Sequence, residues 1–103
     1  MKYRFTARAA TQLEEAVARW RAGHDGSPDL LLDEVLRACE QIRIAPHAGT
    51  MYGMHGEQLV RRVLCVKTAY FVYYVIEDDG PWVVDVWSAR RRSGPRYQRG
   101  QLS

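Results

Sequence analysis

The chain has 103 residues, 47% of them apolar or aromatic, which suits a single domain over residues 1–103 with a core that needs no disulfide staples. No apolar run approaches the ~20 residues of a membrane span, and MKYRFTARAA has no long apolar segment behind its basic residues, so a cytoplasmic protein is expected, with neither leader nor anchor. Charge is uneven along the chain: residues 1–58 carry seven basic and eight acidic side chains, residues 59–103 eight and four, and the last fifteen hold five arginines and no acid, which points to an anionic partner.

In chain order, KYRFT reads as a short strand with Tyr3 and Phe5 on one face. Thr6 is suited to cap the helix that follows, ARAATQLEEAVARWRAG, in which Ala10, Leu13, Val17 and Trp20 recur at helical spacing. Gly23 ends it, and Ser27, Pro28 and Asp29 form a second helix start. The second helix places Leu32, Val35, Leu36, Cys39 and Ile42 on one stripe and stops before Pro46. The short join makes the two helices an antiparallel hairpin. HAGTMYGMHGEQ has neither period and is expected as a Gly-rich loop. LVRRVLCV, YFVYYVI and WVVDVWSA then follow as strands joined by hairpin-length turns.

These elements predict an α+β fold: an N-terminal strand, a helix hairpin, then a three-stranded antiparallel meander with the helices on one sheet face. Residues 90–103 are expected as a basic, loosely ordered tail. Cys39 and Cys65 lie in apolar periodic stretches without paired spacing, so they read as buried free thiols, with no metal or cofactor site implied. YFVYYVI is apolar on both faces, so the side away from the helices needs cover or is a binding surface.

The helix hairpin leading into LLDEVLRACEQIRIAPHAGTMYG, the basic strand and aromatic strand of LVRRVLCVKTAYFVYYVIEDDG, and the ending VVDVWSARRRSGP together resemble the RelE/ParE superfamily of toxins from type II toxin–antitoxin pairs, often described as plasmid stabilisation proteins. The resemblance spans about residues 3–95 and is closer to ParE-like members. It implies a RelE/ParE-like fold and a cognate antitoxin as partner. It also implies one of two activities: poisoning of DNA gyrase by binding, or ribosome-dependent cleavage of mRNA.

RNA cleavage through the 2′-hydroxyl needs a proton acceptor, a proton donor and a cation for the phosphorane charge. Where RelE-like nucleases resembling this chain carry an arginine after the position of Tyr70, this chain has Phe71. Leu64 is apolar at the next same-face position from Arg62, and Ser88 and Ala89 stand where a histidine or lysine and an arginine serve. A noncanonical catalytic set would have to come from Arg61, Arg62, Arg90 and Tyr97; His55 with Glu57 beside Arg61 is a further acid–base pair to consider. The set expected to meet a target comprises Arg61, Arg62, Arg90, Arg91, Arg92 and Trp87, because guanidinium forks bind anions bidentately and stack on rings. In this reading Trp20, Tyr70 and Tyr73 anchor an antitoxin segment. A solvated arginine tail that blunts an edge strand, and a decayed or structural partner without toxicity, are the remaining alternatives. A homodimer and a toxin–antitoxin hetero-oligomer are both compatible with the sequence.

Overall fold

Thr6 opens the first helix as its type predicts: its Oγ1 accepts the Ala9 N–H at 3.1 Å. In the computed structural model, which describes residues 2–97, helix α1 runs Ala7–Gly23 and buries Ala9, Ala16, Val17 and Trp20. Helix α2, Leu30–Ile44, buries Leu31, Val35, Ala38, Cys39 and Ile42. The expected stripe of α2 is therefore turned by about one position: Leu32 is half-buried and Leu36 exposed. Asp29 stands at the cap position of α2 without capping it, because its carboxylate instead pairs with Arg21 of α1 at 2.9 Å. That exposed ion pair spans the helix hairpin and adds little stability.

Among the described residues five strands form one sheet: β1 Arg4–Phe5, β2 Thr50–His55, β3 Gln58–Cys65, β4 Tyr70–Glu77 and β5 Gly80–Ser88, in the order β1-β5-β4-β3-β2. The class is the α+β arrangement expected, but the meander has four strands, since the stretch expected as a Gly-rich loop contains β2. The register of β2 slips between Met51 and Gly53, which destroys the alternation that marks a strand in sequence. Gly56, at φ 65°, makes the tight turn into β3 that a side chain would strain. The N-terminal strand joins from the other side, β1 lying parallel to β5 with Arg4 beside Trp82 and Phe5 beside Val83.

Alternation along the strands divides the apolar residues between two cores. On the helix side, the helices pack on Cys65, Val72, Tyr74, Val83 and Val86. On the opposite side, Val60, Tyr73 and Val75 are buried beneath Tyr52, Phe71, Trp82, Val84, Trp87 and Tyr97. The second face is therefore covered largely by the chain's own aromatic residues. Part of that cover comes from the tail, where Pro95 is buried and its carbonyl accepts the Tyr52 O–H at 2.7 Å. Residues 90–92 are exposed as expected of a loose tail, but residues 93–97 lie against the sheet; the remainder of the expected tail, Arg99 included, lies outside the described residues.

Two helix side chains fasten the sheet. Gln12 serves a bulge in β5 where the pairing shifts between Tyr73 and Tyr74: its Oε1 accepts the Val86 N–H at 2.8 Å and its Nε2 donates to Asp85 Oδ1 at 2.8 Å. Glu34 closes the β3–β4 turn, accepting the N–H groups of Lys67 and Thr68, each at 2.9 Å, and the Thr68 hydroxyl at 2.6 Å. Desolvation pushes the Glu34 carboxyl up, but these bonds outweigh it and hold the group below its ordinary value. Cys39 and Cys65 are buried free thiols, each pushed up to about 12, chiefly by burial. Among the described residues no helix is long and apolar enough to cross a membrane.

Candidate target-binding site

Consecutive residues of a strand point to opposite faces, so Arg61 and Arg62 part company on β3. Arg61 turns to the helix side, where its Nη1 donates to the carbonyls of His47 at 3.1 Å and Gly49 at 2.9 Å. It clasps the 3-10 turn Pro46–Ala48 and the start of β2. Arg62 turns to the second face. Its guanidinium lies 4.0 Å from the centre of the Phe71 ring and 4.9 Å from that of Tyr52, and its Nη1 is 3.4 Å from the Tyr73 hydroxyl.

The pattern continues across the sheet. Phe71 on β4 lies directly opposite Trp87 on β5, and the Arg91 guanidinium stacks 4.4 Å above the Trp87 ring. Strand β5 ends at Ser88, so the arginines do not prolong it and alternation does not govern them. The chain bends instead: the Arg90 N–H donates to Ser88 Oγ at 3.2 Å and the Arg91 N–H to the Ser88 carbonyl at 3.3 Å. That bend folds Arg91 back over Trp87, while Arg90 and Arg92 stand exposed. Arg62, Phe71, Trp87 and Arg91 thus form one row of cations and rings. A guanidinium group held over an aromatic ring by cation–π attraction can still offer N–H donors to carboxylates or phosphates.

Other expected residues are placed elsewhere. Trp20 is buried against α2, donating its indole N–H to the Ser27 carbonyl at 2.8 Å and stacking on His24 with centroids 3.5 Å apart. Tyr73 is 1% exposed, and Tyr70 packs into the helix-side core. Trp20 and Tyr73 are thus buried within the domain, whereas Tyr70 stays half-buried. The four residues of the noncanonical catalytic set do not converge either. Arg61 faces away from Arg62, Arg90 sits in the exposed bend, and Tyr97 donates its proton to the buried carboxylate of Asp85. Burial, reinforced by that carboxylate, pushes the Tyr97 phenol well above its ordinary value, so it holds its proton at any physiological pH. His55, expected to act with Glu57 beside Arg61, packs edge-on to Tyr97, whereas Arg61 is turned to the carbonyls of His47 and Gly49.

Asp85 is the residue that sequence reasoning passed over. Its side chain is 1% exposed, with Oδ1 accepting from Gln12 and lying 3.1 Å from Arg8 Nη2, and Oδ2 accepting from Tyr97. The signal was present: an acid centred in VVDVW must find partners if that strand is buried. Tyr52, which sandwiches Arg62, was hidden with β2.

The family described as the ParE toxin of the type II toxin–antitoxin system, parDE, matches residues 3–93. The chain belongs to the ParE toxin family. A solved structure titled "Chromosomal ParDE TA system from P. aeruginosa" shares the fold at a TM-score of 0.62 and 15% identity, covering 87% of this chain and 97% of that one. No curated protein matches the chain. Membership in the ParE toxin family makes this chain the toxin of a toxin–antitoxin pair and implies an antitoxin as its partner.

Proposed function

We propose that this ParE toxin acts in the cytoplasm by binding a cellular target, DNA gyrase, through the second sheet face, and that its cognate antitoxin neutralises it by occupying the molecule. The observation that carries this reading is the row Arg62–Phe71–Trp87–Arg91: two guanidinium groups held over aromatic rings on one sheet face. Such a surface suits recognition of acidic macromolecular partners. Arg90 and Arg92, exposed at the end of the row, add to the positive field that steers encounter.

The antitoxin reading moves from the buried rings to the groove between α2 and β3. Strand β2 pairs with β3 no further than Arg62, so Val63, Leu64 and Cys65 have no β2 neighbour. Two hollows of about 270 and 350 Å³ follow this edge, sharing Gln41 and Val63 in their walls. Ile44 and Val66 stand 68% and 78% exposed at its ends, with Arg37 and Lys67 in the wall. Apolar ends, an open strand edge and basic side chains fit an acidic, amphipathic antitoxin segment that orders on binding.

The test is inducible expression without antitoxin, beside the double variant Arg62→Ala, Arg91→Ala. Filamentous cells with an induced DNA-damage response, lost in the double variant, are the expected outcome. Rapid translation arrest with cut mRNA would replace this reading with the ribosome-dependent nuclease, and normal growth of cells holding folded wild-type protein would replace it with a decayed toxin.

A further inference from the structure

The tail crosses the second sheet face without joining the sheet. Ser93–Tyr97 is held by sheet side chains that bind its backbone: the Trp87 indole N–H donates to the Ser93 carbonyl at 2.9 Å, and the Tyr52 O–H to the Pro95 carbonyl at 2.7 Å. Every peptide offers those carbonyls, two residues apart, when it runs extended. Selection comes from what lies between and beyond them. A Cβ on Gly94 would stand 2.5 Å from the Tyr52 hydroxyl and 3.0 Å from that of Tyr73, so only glycine fits between the two donors. Pro95 is buried, and Tyr97 then reaches Asp85 with its hydroxyl while its ring packs edge-on to Tyr52.

We infer that the second sheet face is a peptide-binding platform, read by Trp87, Tyr52, Tyr73 and Asp85, whose resting occupant is the chain's own Ser93–Tyr97 and whose exchange partner is an extended segment of another protein carrying Gly-Pro-x-Tyr. The platform is selective at three points: a glycine, a proline fixed in extended backbone, and an aromatic hydroxyl that can donate to a buried carboxylate. A phenylalanine in the last position would leave one Asp85 oxygen short of a donor, and any Cβ in the first would collide with two phenols. The platform adjoins the target row, since Trp87 belongs to both and Tyr52 flanks Arg62. It rests on the proposed function only in placing a target there, and its test uses no target.

The experiment uses the full-length chain with Gly94→Val, which should dislodge the strap, and a capped synthetic peptide of the sequence SGPRY. The readout is the NMR signal of the Trp87 indole N–H. In Gly94→Val alone that signal should move away from its wild-type position, and adding SGPRY should restore it. The peptide should bind the variant about tenfold more tightly than the wild type, whose own strap competes, the step expected for one well-made hydrogen-bonded contact. Peptides with valine for the glycine or phenylalanine for the tyrosine should bind about tenfold more weakly than SGPRY. An indole signal unmoved in the variant, or equal binding of the three peptides, would overturn the proposal. So would concentration-dependent dimers of the wild type that exchange tails, since the occupant would then be a second copy. If Gly94→Val fails to fold, Tyr97→Phe serves: exchange of the Trp87 indole proton should quicken about tenfold, and an unchanged rate would refute the latch.

Discussion

The Tyr97 hydroxyl donates to the carboxylate of Asp85, joining the last described residue of the chain to the middle of β5. Arg8 and Gln12 of α1 hold the other oxygen of the same carboxylate. One buried acid therefore ties the first helix, the last strand and the tail together. Asp85→Ala should destabilise the protein by about 3 kcal/mol, because it strands the donors of Gln12 and Tyr97. Tyr97→Phe should cost about 1 kcal/mol. The double variant should be less destabilised than the two singles imply, since they share a bond. Denaturant unfolding at constant slope measures all three.

Gly49 has no room for a side chain. A Cβ there would collide with the Tyr74 hydroxyl, which accepts the Gly49 N–H at 3.1 Å and donates to the Pro46 carbonyl at 2.5 Å. Tyr74 is fully buried and cannot swing aside. Gly49→Ala should therefore lower stability by about 1–3 kcal/mol through overpacking. Gly53, which meets nothing within 4 Å, is the control: Gly53→Ala should shift the melting temperature far less.

Glu34 makes stability sensitive to acid. Its folded value lies below its unfolded one, so its contribution is complete above the ordinary carboxylate value of about 4.3 and fades as pH falls through the lower, folded value. Glu34→Gln should be less stable than the wild type at neutral pH. Its stability should fall less steeply on acidification below about pH 5, the gap narrowing as the wild-type carboxylate protonates. Melting temperatures measured across that range would show parallel curves if Glu34 played no such part.

Arg62→Lys keeps the charge and loses the guanidinium group held over Phe71 and Tyr52. Toxicity on induction should drop at least about tenfold, matching a loss of about 1.4 kcal/mol in target binding. The fold should change by no more than about 0.5 kcal/mol, as for most surface substitutions. A lysine variant as toxic as the wild type would mean that charge alone suffices.

In the α2–β3 groove, Ile44→Glu places a carboxylate where an acidic antitoxin segment is proposed to lie. Antitoxin affinity should fall by about tenfold or more while toxicity persists. Growth assays with the antitoxin co-expressed would then show escape from neutralisation. Full neutralisation with unchanged affinity would place the antitoxin elsewhere.

What the sequence disclosed follows the range of the forces involved. The span of α1, its Thr6 cap and the three hairpin-linked strands depend on local patterns and were legible. Strand β2 was not, because its register slip and glycine erase alternation over TMYGMH. That Arg61 and Arg62 separate was readable from alternation; which of them meets rings was not, since Tyr52 arrives with the unseen strand. The stacking of Arg91 depends on β5 ending at Ser88, a boundary that a run of arginines does not mark. The anchoring roles given to Trp20 and Tyr73 assumed exposed rings, whereas helix and tail bury them. Asp85 acquires its meaning from partners distant in sequence: Gln12, 73 positions away, Arg8 beyond it, and Tyr97, 12 positions away.

The first strand lies parallel to the last, and the Thr6 N–H donates to the Val83 carbonyl at 3.0 Å. Such a pairing cannot form until synthesis has carried Val83 clear of the ribosome, so the first strand must wait for its sheet partner until the last has been made. A nascent or prematurely ended chain consequently lacks both the closing strand and the Trp87–Arg91 end of the surface. The topology therefore makes the second sheet face a late product of folding, complete only once its first and last strands have met.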